Sequence, residues 1–485
     1  VTLSGLDRVT VAELRTELES GRLTSRVIVE AHLERIERLD PAFGAMRCLA
    51  PKALDEADES DRVRADRGPR SPIEGIPVLV KDNIDVAGLP TTAGSLALEA
   101  AVPFADAPIV TRLREAGAVI LGKTNLSELA NFLTENMPSG YSSLGGQVLN
   151  PYDTSITPSG SSSGSAAAAA LGFAPLTVGT ETDGSITSPA HCQSLVGMKP
   201  TLGLVSRTGI MPIAPSQDTA GPMTRTVADA AALLAVIAGP DPDDPATAGA
   251  ADTARRLSGL VLDAGALAGV RLGVVRGSEH PDAQPRDRYQ IDCHERALAA
   301  LAGAGAVLVD VSLPVMDRDD ELTVLHYEFA PAVDRYLAAR GASPGTLADI
   351  QAWNRAHAEV ALKFGQVHVD TAVGVDHERD FDEYHLARDR DLRATSGAML
   401  AALREDLECL VFPRSEGCSW AARAGWPSIV IPAGYAADNR RPVGIMLVGR
   451  PWTDDRLLAL AYALEVAHPV RRPPSEINPA AFRRF

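Results

Sequence analysis

Two short serine-rich loops and one lysine carry the residue types that could do chemistry. The first loop is Pro158-Ser-Gly-Ser-Ser-Ser-Gly-Ser165, and the second is Gly179-Thr-Glu-Thr-Asp-Gly-Ser185-Ile-Thr-Ser-Pro-Ala190. A serine hydroxyl at its free pKa is a poor nucleophile, so acyl transfer through either loop needs a base within reach. Lys81 closes the segment Gly75-Ile-Pro-Val-Leu-Val-Lys81-Asp82. Alone, it reads as a lysine that carries its charge to solvent or pairs with Asp82 or Asp85. The two serine loops make it a candidate base instead.

Two further patterns are present and are set aside on physical grounds. Gly160-Ser-Ser-Ser-Gly164 fits the nucleophile elbow G-x-S-x-G, which needs an apolar strand before it and a helix after it. Asn150 to Pro158 is turn chemistry, and a loop leading into a loop cannot make that sharp bend. Gly117-Ala-Val-Ile-Leu-Gly-Lys123-Thr124 matches the phosphate-binding expression G-x-x-x-x-G-K-[ST]. Its variable positions read as a strand, so their N–H groups are committed to a ladder and cannot turn towards phosphates.

The elements around the candidate residues follow from composition. Ala166 to Leu171 is strongly helix-forming, and Pro175 to Gly179 is β-branched between Pro and Gly, so the order is loop, helix, strand, loop. Ile76 to Val80 is an almost wholly apolar run, predicted as a buried strand with Lys81 at its C-terminal end. Amphipathic helices are predicted over Val11–Leu18, Thr24–Leu39, Ala50–Ala65 and Pro108–Ala116, with a helical turn from Ser127 to Phe132. Beyond Asp218 and Arg225, which are expected to brace loops, a helix spans Val227–Ala238. Strand Val270–Val275 and helix Ile291–Ala304 resume α/β alternation. Residues 315–400 read as helical and charged, with His377 and His385 on a solvated helix face and not in a ligand set. Strands Leu407–Phe412 and Ser428–Ile431, the apolar run from Pro442, and helix Asp455–Glu465 close the chain.

The motifs together resemble the amidase signature family. Its hallmark G-G-S-S-G-G-S is matched by Ser159 to Ser165, and G-[ST]-D-T-G-G-S-I-R-x-P-A by Gly179 to Ala190. G-I-P-x-x-V-K-D is matched by Gly75 to Asp82, and the two key serines, Ser161 and Ser185, are 24 positions apart. The likeness continues through Lys199-Pro-Thr and Asp218-Thr-Ala-Gly-Pro-Met-Thr-Arg225 and is weakest between 240 and 400. It implies an α/β fold with a large mixed β-sheet sandwiched between helical layers, as one amidase signature domain over 1–485. A variable helical region at about 315–400 then shapes the substrate pocket. It implies Ser185 as the acyl-forming nucleophile, Ser161, after a cis peptide bond, as a proton relay, and Lys81 as the base. The oxyanion is then held by backbone N–H groups of Thr182, Asp183, Gly184 and Ser185. Neither a cofactor nor a metal is implied. Three departures, Glu181 for Asp, Asp183 for Gly and Thr187 for Arg, are expected to bear on substrate rather than mechanism and resemble the peptide amidase branch, which removes the C-terminal amide of peptides. Aryl or acyl amidases, and the amidase-like subunit of a tRNA-dependent amidotransferase, are the alternatives.

Composition narrows the partners. The 485-residue chain has 46 basic and 63 acidic residues, a net charge of −17, which repels nucleic-acid phosphates and anionic lipid. A small-molecule or short-peptide amide is therefore the expected partner, with no nucleic acid and no membrane. Five scattered cysteines, Cys48, Cys192, Cys293, Cys409 and Cys418, form no C-x-x-C pair, and reduced thiols in a cytoplasmic protein are expected. No apolar run approaches the length of a membrane span, and Val1-Thr-Leu-Ser-Gly is not a signal peptide. Beginning at Val1 and not Met leaves room for a missing N-terminal segment.

Overall fold

A computed structural model describes residues 5–275, 288–404, 406–437 and 440–482. Among these, the strands are β1 (Met46–Leu49), β2 (Pro77–Lys81), β3 (Val119–Thr124), β4 (Tyr141–Ser142), β5 (Gly146–Gln147), β6 (Leu176–Glu181), β7 (Val196–Lys199), β8 (Thr219–Thr224), β9 (Arg271–Val275), β10 (Val307–Val311), β11 (Cys409–Pro413), β12 (Ser428–Tyr435) and β13 (Pro442–Gly449). All but the β4–β5 hairpin join one 11-stranded sheet in the order β1-β3-β2-β6-β8-β7-β12-β13-β11-β9-β10. The sheet is mixed: β3, β2 and β6 run parallel, as do β10, β9 and β11, and antiparallel pairs through β8, β7, β12 and β13 join the two groups. No helix among the described residues is long and apolar enough to cross a membrane.

Alternation along each strand assigns its side chains to two buried faces. Val78 and Val80 of β2 join Ile120, Val178, Ile429, Ile431 and Leu447 in a core capped by helices Pro108–Glu115, Val227–Ile237 and Asp454–Ala467. Leu79, between them, points the other way and packs with Val119, Leu121 and helices Ser25–Phe43 and Ser163–Leu171. This is why β2 reads as a continuous apolar run: both faces are covered. Every residue of Ser163–Leu171 is buried. Small side chains are required there, since a Cβ on Gly164 would lie 2.3 Å from the Asn125 carbonyl oxygen and 2.5 Å from that of Ala45.

The charged region near 315–400 is helical, as expected, with helices Asp319–Arg340, Leu347–Ala356, Val367–Val373 and Phe381–Leu392. It docks on loops rather than on the sheet. Phe329, Val333 and Leu337 pack on Phe132, Leu129, Met211 and Ile213, and Phe329 meets Phe132 edge-on at 5.2 Å. Two expectations need correction. His377 lies in the turn before Phe381–Leu392, 2.9 Å from the Tyr327 carbonyl, and only His385 is on that helix. Ser127–Phe132 is no right-handed turn, because Leu129, Ala130 and Asn131 have φ of 46°, 55° and 72°. Tertiary bonds override propensity there: Leu129 N–H donates to Ala93 O at 2.8 Å, and Ser143 N–H to Glu128 Oε2 at 2.6 Å.

Candidate active site

Lys81 stands where β2 stops, with its side chain wholly buried. Its Nζ lies 2.7 Å from Ser161 Oγ, 2.8 Å from Thr180 Oγ1 and 3.3 Å from the Thr180 carbonyl oxygen. Burial lowers its pKa from 10.5 to about 7, against the upward pull of Glu181 and Asp218. A neutral amine is therefore well populated near neutral pH, with a lone pair able to accept a proton. The neighbouring acids are occupied elsewhere. Asp82 pairs with buried Lys123 at 3.1 Å, and Asp85 accepts from the Tyr336 hydroxyl at 2.8 Å. Lys123, the lysine of the rejected phosphate-binding pattern, lies in β3 as a strand residue.

The first serine loop is tied to the second by backbone bonds. The Gly160–Ser161 peptide bond is cis. A Cβ on Gly160 would lie 2.5 Å from Ser127 Oγ, so close approach demands glycine at this position. The Ser161 carbonyl accepts from Ser127 N–H at 3.1 Å, and Ser162 N–H donates to the Ser185 carbonyl at 3.2 Å. The Ser162 hydroxyl donates to the Thr180 carbonyl at 3.1 Å and accepts from Thr180 N–H at 3.2 Å.

Glu181 shapes the second loop. Its buried Oε2 accepts from Ile186 N–H at 2.7 Å, Thr187 N–H at 2.8 Å and the Thr187 hydroxyl at 3.1 Å, folding the chain back after β6. Two of the three departures from the family pattern thus touch each other and brace the loop. Thr187, buried against Glu181, can bear on substrate only through the cation it lacks. Between the brace points, the N–H groups of Thr182, Asp183, Gly184 and Ser185 find no acceptor among the described residues. Gly184 has φ +75°, a left-handed conformation that glycine adopts without strain. Ser185 is 7% exposed and Ser161 fully buried.

Other residues clamp this loop from distant parts of the chain. The Thr182 hydroxyl donates to Asp218 Oδ1 at 2.5 Å, and Asp218 Oδ2 accepts from Ile213 N–H at 2.9 Å. Half-buried Asp183 accepts from the Ser419 hydroxyl through both oxygens, at 3.0 and 2.7 Å. Gln217 Nε2 donates to the Thr182 carbonyl at 3.3 Å and to Glu321 Oε1 at 3.1 Å. Burial and then the Asp183 charge push the Glu321 carboxyl well above its ordinary range. Arg225 braces the helix end behind the site, donating to the Ala169 and Ala174 carbonyls at 3.0 and 2.9 Å. Sequence reasoning missed Asn83, Thr180, Ser162, Gln217, Glu321 and Ser419. Thr180 and Ser162 lie within quoted motifs and Asn83 and Gln217 directly beside them, whereas Glu321 and Ser419 give no local signal.

A cavity of about 560 Å³ reaches the site through Asn83, Thr180 and Thr182 but not through Ser185. Neither Lys81 nor Ser185 is among its lining residues. The arrangement as a whole can take a proton from a serine hydroxyl onto a buried amine, next to a loop whose free N–H groups can hold an anionic oxygen.

The Amidase family model matches residues 27–417. The solved peptide amidase from Stenotrophomonas maltophilia is 43% identical with a TM-score of 0.88, covering 96% of this chain and 98% of its own. A probable amidase of Arabidopsis thaliana is 37% identical over 97% of this chain and 92% of its own length. One glutamyl-tRNA(Gln) amidotransferase subunit, from Symbiobacterium thermophilum, is 34% identical over 94% of this chain and 96% of its own length. The chain belongs to the amidase signature family and is an amide-hydrolysing enzyme.

Proposed function

We propose that the chain hydrolyses primary carboxamides through an acyl-enzyme on Ser185, and that its substrates are the C-terminal amides of peptides. Ser185 Oγ attacks the carboxamide carbon. Its proton passes to Ser161 Oγ, whose own proton passes to neutral Lys81. The carbonyl oxygen becomes an oxyanion held by the free N–H groups of Thr182 to Ser185. When the C–N bond breaks, the proton returns through Ser161 to the departing nitrogen, which leaves as ammonia. Water then attacks the ester, giving its proton along the same route, and the peptide acid leaves.

One observation carries this reading: the 2.7 Å contact between a fully buried Lys81 and Ser161, in a chain 43% identical to a peptide amidase. Thr187 offers no cation to a substrate carboxylate, and Asp183 repels one, so neutral extended amides are favoured over small half-amides of dicarboxylic acids. The region of about 315–400, which brings Glu321 to the nucleophile loop, contributes to the pocket wall.

The test compares kcat/KM by ammonia release for an N-blocked dipeptide amide and a dicarboxylic half-amide, with an anilide as the aryl control. Preference for the dipeptide amide, with internal peptide bonds left intact, is expected. A preference for the half-amide or anilide overturns the specificity. Hydrolysis of glutamine alone would favour the amidotransferase reading.

A further inference from the structure

The Lys81 amine has three neighbours and three directions in which to use them. Neutral, it has two N–H groups and one lone pair, and as an ammonium it has three N–H groups. Ser161 Oγ is at 2.7 Å, Thr180 Oγ1 at 2.8 Å and the Thr180 carbonyl oxygen at 3.3 Å. With its two N–H groups on the two Thr180 oxygens, the neutral amine turns its lone pair to the Ser161 hydroxyl. Once protonated, it donates to the same three oxygens. Proton transfer then needs no rearrangement beyond the reversal of one hydrogen bond.

That geometry depends on which way the Thr180 hydroxyl points. A hydroxyl that rotated its hydrogen towards Nζ would occupy the lone pair and compete with Ser161. Asn83 Nδ2 lies 3.0 Å from Thr180 Oγ1 and 3.4 Å from the Met211 carbonyl. A carbonyl can only accept, so the amide is oriented with its nitrogen towards Thr180. One lone pair of Thr180 Oγ1 then accepts from Asn83 and the other from Lys81, which turns the hydroxyl hydrogen away from the amine. Thr180 and Asn83 both line the 560 Å³ cavity, where that hydrogen can meet water. Asn83 Oδ1 is buried without a protein partner, a cost the fold accepts to keep this orientation.

We propose that Thr180 and Asn83 are positioning residues for the base: Asn83 fixes the Thr180 hydroxyl, and Thr180 aims the Lys81 lone pair at Ser161. The charged groups facing the amine are Glu181 at the end of β6 and Asp218 just before β8, while Lys123 and Asp82 satisfy each other at 3.1 Å. This assignment rests on the function proposed above, and its test uses a readout that does not need the natural substrate.

The rate at which a fluorophosphonate labels Ser185 is followed against pH in the full-length chain and in Thr180→Val, Thr180→Ser and Asn83→Ala. Thr180→Val removes one acceptor and frees the amine to turn. Labelling is expected to slow roughly ten- to a hundredfold, with its acidic limb moved down by about one pH unit because the ammonium loses a partner. Thr180→Ser restores both quantities. Asn83→Ala shifts both in the same direction by less, and keeps the test alive should Thr180→Val fold poorly. A structural role alone would lower the reactive fraction and leave the limb in place. Wild-type labelling with unmoved limbs in Thr180→Val and Asn83→Ala overturns the positioning role and leaves the amidase reading intact. An unlabelled Ser185 in the wild-type chain overturns both.

Discussion

Replacing Lys81 by methionine should abolish activity and stabilise the fold, and both effects follow from burial. Methionine keeps the unbranched shape, and few bonds are orphaned. Thr180 Oγ1 retains Asn83 at 3.0 Å, and the Thr180 carbonyl retains the Ser162 hydroxyl at 3.1 Å. An unfolded lysine titrates near 10.5, whereas in the fold burial lowers Lys81 to about 7. Burying the charged form therefore costs on the order of 5 kcal/mol, since each pH unit between the two values is worth about 1.36 kcal/mol. The sign is set by proton uptake: between pH 7 and 10.5 the unfolded chain holds a proton that the fold lacks, so wild-type stability rises with pH across that window. The methionine variant lacks this term. Its advantage is largest at pH 7 and below and fades towards pH 10.5. Differential scanning calorimetry at pH 6 and pH 10, beside an ammonia-release assay, measures both quantities. We expect a melting temperature several degrees above wild type at pH 6, a smaller gap at pH 10, and a loss of kcat of about a thousandfold or more. A variant within tenfold of wild-type activity, or with an equal stability gain at both pH values, refutes the reasoning.

Three further outcomes follow from the same geometry. With Lys81 as the proposed base and burial lowering its pKa to about 7, kcat/KM should fall about tenfold for each pH unit below that value; a flat profile from pH 5 to 7 contradicts this. Glu181→Ala removes the shared acceptor of Ile186 and Thr187 and strips buried Lys199 of a facing carboxylate, so it should destabilise by about 3 kcal/mol or more, read as a lower denaturation midpoint. Gly184→Ala forces a side chain onto φ +75° with Ser188 Oγ 3.0 Å from the new Cβ; it should cost about 1–2 kcal/mol of stability and a much larger factor in kcat, as loop N–H groups turn aside.

The legible parts of this chain are the local ones. β2 and β3 are short apolar runs covered on both faces, so type and extent follow from composition alone. The serine loops are small-residue stretches beside a helix former, and the motifs around Lys81, Ser161 and Ser185 lie within a few residues of each group. The order of the sheet is not legible, because β6 pairs with β2 nearly a hundred positions upstream and with β8 some forty downstream. The same limit hides the loop clamps. Glu321 and Ser419 are distant in sequence from Asp183 and sit in segments with no motif. The left-handed run from Leu129 to Asn131 defeats propensity because its segment is bonded elsewhere, Ser127 to Ser161, Glu128 to Ser143 and Leu129 to Ala93, partners that no window around Ser127 contains. Thr187 reads as a substrate residue because the family carries a cation there, whereas its contact with Glu181 shows only in three dimensions.

How Lys81 stays neutral beside a carboxylate points to one more residue. Glu181 pulls the Lys81 pKa upward, and unopposed it would hold the amine as an ammonium. Burial opposes it. The charge that most favours an ionised Glu181 is that of Lys199, at the end of β7. Lys199 is itself fully buried and lowered to about 8, with Glu181 and Asp454 as its nearest supports. Asp454 is held in turn by Thr201, whose N–H and hydroxyl donate to it at 2.8 and 2.6 Å. Two lysines thus share one carboxylate: Lys199, with Asp454 and Asp183 besides, is lowered to about 8, and Lys81, with Asp218 besides, falls further, to about 7. Lys199→Met removes the charge that most favours an ionised Glu181, so the upward pull of Glu181 on Lys81 should weaken and the acidic limb of kcat/KM should move to lower pH, the same sign as the shift expected for Thr180→Val. The profile is read by ammonia release between pH 5 and 9 at matched fractions of folded protein. A limb that stays put, or moves up, removes Lys199 from the account.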